Sequence, residues 1–554
     1  MNKAMPIGVD DFKKVREQYY FVDKSDFIRQ LIDHHSDVTL ITRPRRFGKT
    51  LTMSMLEYFF SIDKKDESQC LFSGLSVEKS GMAYMKHRGA YPVIFLSLKN
   101  IAGDTWESMV NSLSFTLADL YNGFKYLAQS ADVDDALKIY LQKIIYEKAT
   151  QDELAVSLLR LTKMLYQHYG KPVILLIDEY DAPIQHAWEQ GFYGECIRFM
   201  RQFFGSALKT NSSLDFAVLT GVLRIAKESI FSGLNNLDVC SVMTDQYSDV
   251  FGFTPDEVNE IASALQCSYA MTDIRTWYDG YRFGKADIYN PWSVINFFDK
   301  QTLADYWVNT SGNAILRQLL KQTDTEQKEA LLSLLHRGSV TAVIREGVIY
   351  DDIGEDKDAL YTMLLTTGYL TAIHKQNTFG GQLCRLVIPN REVKDAYRAE
   401  VLERTRGRLS ASSLLLMMED LMAGRAAPFS KTLERYITSL VSSYDVANKE
   451  SFYHGFLLGM TALFVPEYVV ESNRESGYGR FDLAIFPKDT AKAGVLMEFK
   501  AANTEEQLAD KATEALRQIE DKQYETEFSK RNIATVWKYG IAFCGKKIYV
   551  TMKK

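Results

Sequence analysis

Cysteine is sparse and scattered: the six in 554 residues are Cys70, Cys196, Cys240, Cys267, Cys384 and Cys544, and no two form a CxxC pair. That pattern excludes a disulfide scaffold and a thiolate zinc cluster, and it suits a reducing compartment. Proline is rare as well, at 11 residues, and there is no low-complexity tract or internal repeat, so disordered, collagenous and solenoid chains are excluded. No apolar run approaches the roughly 20 residues of a membrane span. The longest uncharged stretch, Ser451 to Pro466, contains His454 and two glycines and ends in proline. The opening MNKAMPIGVDDFKKV has no apolar signal region, and the expected location is cytoplasmic, without membrane contact. An excess of positive charge is also missing. With 65 Lys plus Arg against 71 Asp plus Glu, the net charge of −6 excludes a uniformly basic nucleic-acid coat and confines polyanion contacts to local patches. There is no GxSxG elbow of the kind that serves esterases.

What is present is ordinary globular composition: 46% hydrophobic, 25% charged and 12% aromatic residues. At roughly 150 residues per domain the length implies three or four domains. From Val38 to about Asp245, short β-rich runs alternate with helical patterns. The runs are VTLIT (Val38 to Thr42), PVIFLSL (Pro92 to Leu98), PVILLID (Pro172 to Asp178), FAVLTGV (Phe216 to Val222) and DVCSVMT (Asp238 to Thr244). Such alternation implies a parallel α/β sheet. Between Trp106 and His168 the three-and-four spacing of apolar residues predicts a long helical crossover. From Thr254 a helical lid is expected, followed by the turn-rich, aromatic WYDGYRFGKADIYNPWSV.

The stretch VTLITRPRRFGKT puts Gly48, Lys49 and Thr50 at a strand-to-helix junction. In a phosphate-binding loop, backbone N–H groups cradle the phosphates, the Lys reaches the β- and γ-oxygens, and the Thr hydroxyl binds Mg²⁺. The full pattern has a glycine five residues before Gly48, where this chain carries Arg43; Pro44, Arg45, Arg46 and Phe47 follow, and Leu51 lies just inside the helix. The loop is therefore stiff and basic. The second half of such a site is LLIDEYDAP, an apolar strand ending in Asp178 for Mg²⁺ and Glu179 to polarise the attacking water. The next strand, ending LTGVLRI, is expected between the other two, with Thr220 as a sensor touching the γ-phosphate or water. Arg224 is either a charge-stabilising arginine or a surface ion pair.

RPRRFGKT, LLIDEYDAP, LTGVLRIAKESIFSGLNNL and WYDGYRFG together resemble the bacterial AAA-ATPase-like family, over roughly Gly8 to Asn296. The resemblance implies ATP binding.

The last 110 or so residues change character. A helix from Glu450 to Leu463 is expected, then strands Arg480 to Phe486 and Val495 to Lys500, a long polar helix from Thr504 to Phe528, and strands Ile541 to Phe543 and Lys547 to Met552. YGRFDLAIF followed by LMEFKA places Asp482 on one strand and Glu498 and Lys500 on the next; residues two apart share a face, so these two project together and Phe499 projects oppositely. Two carboxylates beside an ammonium suit metal-assisted phosphodiester hydrolysis. The segment from about Asn448 onward resembles the PD-(D/E)XK nuclease superfamily. That resemblance implies Glu450 as the first acidic position, and Gln518 and Tyr524 as residues lining the site. His454 is either a core residue or a site-lining one.

From Ser529 to Lys554 there are seven Lys or Arg and no acid, a local basic tail; across Val441 to Lys554 sixteen basic residues balance sixteen acidic ones. The expected architecture is a P-loop NTPase α/β domain with its lid over residues 1–296, a helical region over 297–443 with a small hairpin around Tyr369 to Ile388, and a small restriction-endonuclease-like α/β domain over 444–554. Expected cofactors are ATP and Mg²⁺, and the expected partner is nucleic acid, DNA ahead of RNA, with a homo-oligomer or protein partner also compatible. The rival expectation is a nucleotide switch whose terminal domain binds nucleic acid or protein without cutting.

Overall fold

The computed structural model describes residues 4–224, 237–307, 316, 334, 338–345, 347, 356–405, 411–440, 457, 460–461, 468–476 and 479–554. The chain divides into two compact units. One comprises Met1–Gln322 with Thr341–Val393, the other Thr323–Val340 with Lys394–Lys554. The stretch 297–443 is therefore shared between them.

The first unit is built on strands β1 (Val38–Thr42), β2 (Val93–Ser97), β3 (Val173–Asp178), β4 (Leu214–Gly221) and β5 (Leu237–Cys240). They lie in the order β2-β3-β4-β1-β5, all pairs parallel. All residues of β1 and β3 are buried, as central parallel strands covered on both faces require, which is why VTLIT and VILLID are continuous rather than alternating apolar runs. The fourth strand lies between β1 and β3, as expected, so the Gly-Lys-Thr loop and the acidic strand end flank it.

Helix Pro291–Lys300 shows how local sequence sets an end: Asn290 accepts from the N–H groups of Trp292 and Ser293, and Pro291 occupies the first helical position, where no N–H is needed. With helices Pro255–Ala264 and Met271–Tyr278 it shares a core of Val258, Ile261, Ile274, Tyr278, Val294 and Phe297. The aromatic segment forms a hairpin, β6 (Tyr281–Phe283) and β7 (Ala286–Ile288). Beyond it the expected small hairpin is found as β9 (Thr371–Thr378) and β10 (Gly381–Val387), joined on the β10 side by β8 (Val340–Ile344), a strand the helical expectation for this region missed.

The second unit is centred on a mixed sheet, β11 (Tyr468–Ser476), β12 (Gly479–Pro487), β13 (Gly494–Ala501), β14 (Val536–Cys544) and β15 (Lys547–Lys553), in chain order. Only β13 and β14 run parallel, with helix Leu508–Asp521 crossing between them. The expected single helix from Thr504 to Phe528 is broken: the chain leaves it after Asp521, passes Gln523 in the left-handed region (φ 52°), buries Tyr524 and resumes at Thr526–Lys530. Helices Ala411–Met422 and Ala426–Leu440 pack Leu414, Met417, Phe429 and Tyr436 with Met497, Phe499 and Ile541 of the sheet. The expected helix at Glu450 lies largely outside the described residues.

Candidate nucleotide and nuclease sites

At the end of β1 the chain turns through Arg46 (φ 68°) and Gly48 (φ 85°) into helix Lys49–Phe60. Glycine takes the left-handed conformation at Gly48 without strain, which a side chain would not. The Lys49 ammonium is buried and donates to the carbonyls of Arg43 and Pro44, both at 3.1 Å, and it lies 3.6 Å from a Glu179 carboxylate oxygen. The Thr50 hydroxyl donates to Asp178 Oδ2 at 2.7 Å, and the Thr220 hydroxyl donates to Asp178 Oδ1 at 2.5 Å. Asp178 is fully buried, and burial pushes its carboxyl above the usual range against the opposing pull of these hydroxyls. Glu179, next in sequence, is held in the left-handed region at φ 53°, a strained backbone at the turn that follows the strand.

A cavity of ≈ 470 Å³ opens beside this cluster. Arg45, Arg46, Phe47, Gly48, Lys49, Thr50 and Leu51 line it, with Lys99 and Glu179. The amino-terminal segment contributes apolar residues, among them Phe12, Val15 and Phe21, as well as Asp10 and Lys24, and Phe253 and Trp292 line it too.

Arg43 departs from its expected role. Its side chain is completely buried and donates to the carbonyls of Thr42 and Cys240 at 2.9 Å and of Tyr247 at 3.0 Å, between the rings of Phe251 and Phe283. Burial lowers its pKa to about 10. The guanidinium is thus a core fastener; the loop receives only its carbonyl. Pro44, Asp178, Thr220 and Arg224 are not among the residues lining the cavity; Asp178 and Thr220 are buried behind Thr50, and Arg224 ends the described part of the loop after β4. That loop is gripped from the acidic strand: Asp181 Oδ2 accepts from the N–H groups of Val222 and Leu223, and the Tyr180 hydroxyl donates to the Leu223 carbonyl.

In the second unit, Leu483 pairs with Met497 across β12 and β13, and continuing that register by one residue sets Asp482 opposite Glu498. Asp482 Oδ2 accepts from the Phe499 N–H at 2.7 Å. Glu498 is buried, and Lys500 Nζ, on the same face of β13, lies 3.7 Å from its Oε1. Helix Leu508–Asp521 covers this face and brings the Gln518 amide to donate to the same oxygen. Phe499 packs on the opposite face, as the alternation requires. The buried Tyr524 has its hydroxyl pKa raised by burial, with Glu498 and Asp482 adding to the effect. Asp482, Glu498, Lys500, Gln518 and Tyr524 are therefore brought together. Glu450 and His454 lie outside the described residues. Among the described residues, no three His, Cys, Asp or Glu side chains cluster as metal ligands.

Residues 6–231 match the AAA-ATPase-like family, described as predicted AAA-ATPase, and residues 448–553 match the PD-(D/E)XK nuclease superfamily. An ATPase-like domain and a nuclease-superfamily domain share this chain. An uncharacterized protein in the vnfD 5' region of Azotobacter chroococcum mcd 1 is 26% identical over 542 residues, covering 96% of this chain and 94% of that one. The similarity thus spans both domains and the stretch between them. Among the described residues no helix is long and apolar enough to cross a membrane.

The cavity of the ATPase-like domain includes residues that motif reading missed: Lys99 after β2, Trp292 and Trp307, and Thr367 and Tyr369 after helix Lys357–Thr366. The aromatic richness around Trp292 was the signal available in the sequence. In the nuclease-superfamily domain most cations of the basic tail lie within ion-pair distance of a carboxylate, several of them at the surface. Lys530, Arg531, Lys538, Lys547 and Lys553 pair with Glu527, Glu471, Glu525, Glu434 and Glu520, which accounts for five of its seven cations.

Proposed function

We propose that this chain binds and hydrolyses ATP in the first unit and couples that reaction to metal-dependent cleavage of nucleic-acid phosphodiesters, DNA ahead of RNA, in the second. The observation that carries the reading is the hydroxyl–carboxylate–hydroxyl bridge from Thr50 through Asp178 to Thr220, buried behind Lys49, Thr50 and Glu179, which line a cavity that apolar side chains also line. A nucleoside triphosphate has phosphate charge for Lys49 and the basic loop and a base for the apolar side chains.

The donor set fits Mg²⁺: a threonine hydroxyl and a carboxylate are hard oxygen ligands, as are Asp482 and Glu498 in the second site. Bound Mg²⁺ supplies positive charge against the phosphates at each site. Lys49 exchanges its two carbonyl partners for phosphate oxygens, and Glu179 accepts the proton of the attacking water. Thr220 keeps Asp178 oriented. In the second site Lys500 orients the water and offsets phosphate charge, Gln518 fixes Glu498, and Glu450 completes the acidic set.

The test is cleavage of a mixed DNA and RNA panel with Mg²⁺ or Mn²⁺, with and without ATP, comparing wild type with Lys500→Ala and Lys49→Ala. Cleavage lost in Lys500→Ala, and ATP hydrolysis lost in Lys49→Ala, are expected. A wild type that hydrolyses ATP and cuts nothing under any condition sinks the nuclease half. A second reading would then lead, a nucleotide-governed binding module, and the internal pairing of the basic tail is the observation that favours it.

A further inference from the structure

Two tryptophans tie the phosphate loop to the segments by which the chain leaves the first unit. The Trp307 indole N–H donates to the Arg45 carbonyl at 3.0 Å, and the Arg46 guanidinium lies 4.5 Å over the Trp292 ring. The Trp292 indole N–H donates to the Tyr306 carbonyl at 3.2 Å. The backbone N–H groups of Tyr306 and Trp307 then converge on one oxygen of Glu392, each at 2.5 Å, and the other oxygen accepts from the Ser293 hydroxyl at 2.7 Å.

Glu392 is fully buried. Burying a carboxylate is costly unless its lone pairs are used, and here two consecutive amides and a hydroxyl use them, so the 306–307 segment has little freedom to slide. Glu392 stands in the first turn of helix Arg391–Thr405, and the first unit ends at Val393, within that helix. Trp307 lies on the stretch leading to Gln322, where the chain leaves the same unit for the first time. A third contact reinforces the pair. Gly368 sits against Pro44 so closely that a Cβ would meet the proline Cβ at 2.9 Å, and the Tyr369 ring lies 5.2 Å from that of Trp307.

We propose that nucleotide occupancy is relayed from the Arg45 carbonyl through Trp307 and Glu392 to helix Arg391–Thr405, making this clasp the regulatory link from the ATPase-like domain to the rest of the chain. The proposal rests on the nucleotide reading of the cavity. Anionic phosphates compete for the guanidinium groups of Arg45, now on Gln185, and Arg46, now on Trp292. Arg45 and Arg46 flank the peptide whose carbonyl Trp307 holds, so a phosphate drawing both side chains bears directly on that peptide. Because the clasp is packed and both oxygens of Glu392 are hydrogen-bonded, it responds by switching arrangement rather than by gradual bending.

The test uses the full chain. ATP binding is measured by equilibrium dialysis, and hydrogen exchange by mass spectrometry with and without saturating Mg-ATP, in wild type, Glu392→Ala, Glu392→Gln and Trp307→Phe. Wild type is expected to change exchange in peptides covering 304–307 and 391–405 on binding. Glu392→Ala is expected to keep ATP affinity within about fivefold, because Glu392 is not among the residues lining the cavity, and to lose the response at 391–405. Glu392→Gln, which can still accept from both amides, restores the response. Trp307→Phe, which lacks only the indole donor, loses it at saturating ATP whatever its affinity. A full response in both Glu392→Ala and Trp307→Phe overturns the relay and leaves the nucleotide reading standing. Loss of ATP binding in Glu392→Ala also overturns it, by making the clasp part of the binding wall. A wild type that binds no nucleotide takes down both.

Discussion

Thr220 on β4 donates its hydroxyl proton to Oδ1 of Asp178 on the neighbouring β3, joining the two strands through the one fully buried carboxylate that also receives Thr50. Thr220→Val keeps the shape and removes the donor. It is expected to cost about 1–3 kcal/mol, because a buried acceptor loses a partner. Thermal unfolding measures this, and a melting temperature equal to wild type would show that the bond contributes nothing.

Arg43→Gly restores the missing glycine of the phosphate-loop pattern, yet it is expected to weaken the protein. The carbonyls of Cys240 and Tyr247 lose their buried donor and a large side chain leaves a hole, at a cost of about 3–5 kcal/mol. Urea unfolding gives the stability and calorimetry the ATP affinity; a variant as stable as wild type and tighter for ATP would refute the structural role.

Stability should depend on pH through Glu392. Burial raises its pKa from 4.5 to about 7, so between those values the folded chain keeps a proton that the unfolded chain has released. Folding stability therefore falls as pH rises through that window, by an amount on the order of 3 kcal/mol from this group, and levels above it. Asp181, raised to about 6 by burial and by Glu179, acts in the same direction. Urea midpoints at several pH values should slope less in Glu392→Gln than in wild type.

Asp482→Asn separates fold from chemistry in the second unit. The amide oxygen still accepts from the Phe499 N–H, so the melting temperature is expected to move by no more than about 4 °C, consistent with a loss near 1 kcal/mol. Metal-dependent cleavage is expected to vanish. Cleavage at the wild-type rate would remove Asp482 from the site.

Of the seven cations after Ser529, only Lys546 and Lys554 have no ion pair among the described residues. Nucleic-acid binding that uses this segment is expected to show a salt slope of about −2 in log affinity against log salt. Fluorescence anisotropy across a salt series reads it, and a slope of about −5 or steeper would mean that the internal pairs open to the ligand.

Much of the fold was legible because its signals are local. Continuous apolar runs marked β1 to β4, and their alternation with helices implied the parallel sheet. Glu498 and Lys500 could be assigned to one face from spacing alone. What escaped depended on distant partners. Arg43 reads as a basic loop residue until strands β1 and β5 bring the Cys240 carbonyl to it, and Glu392 looks like any helix-start acid until Tyr306 and Trp307 fold onto it. The break at Gln523 was hidden because Lys, Gln and Glu around it all favour helix, and the burial of Tyr524 overrides that preference.

The burial of Arg43 has a thermodynamic consequence for the loop it begins. A glycine-rich loop must lose backbone freedom when it closes on a ligand, whereas this one is anchored at its first residue to β5 and the segment beyond it before any ligand arrives. The ordering entropy has been spent during folding. If the loop binds an anion as proposed, the entropy lost on binding should be smaller than for a free glycine-rich loop.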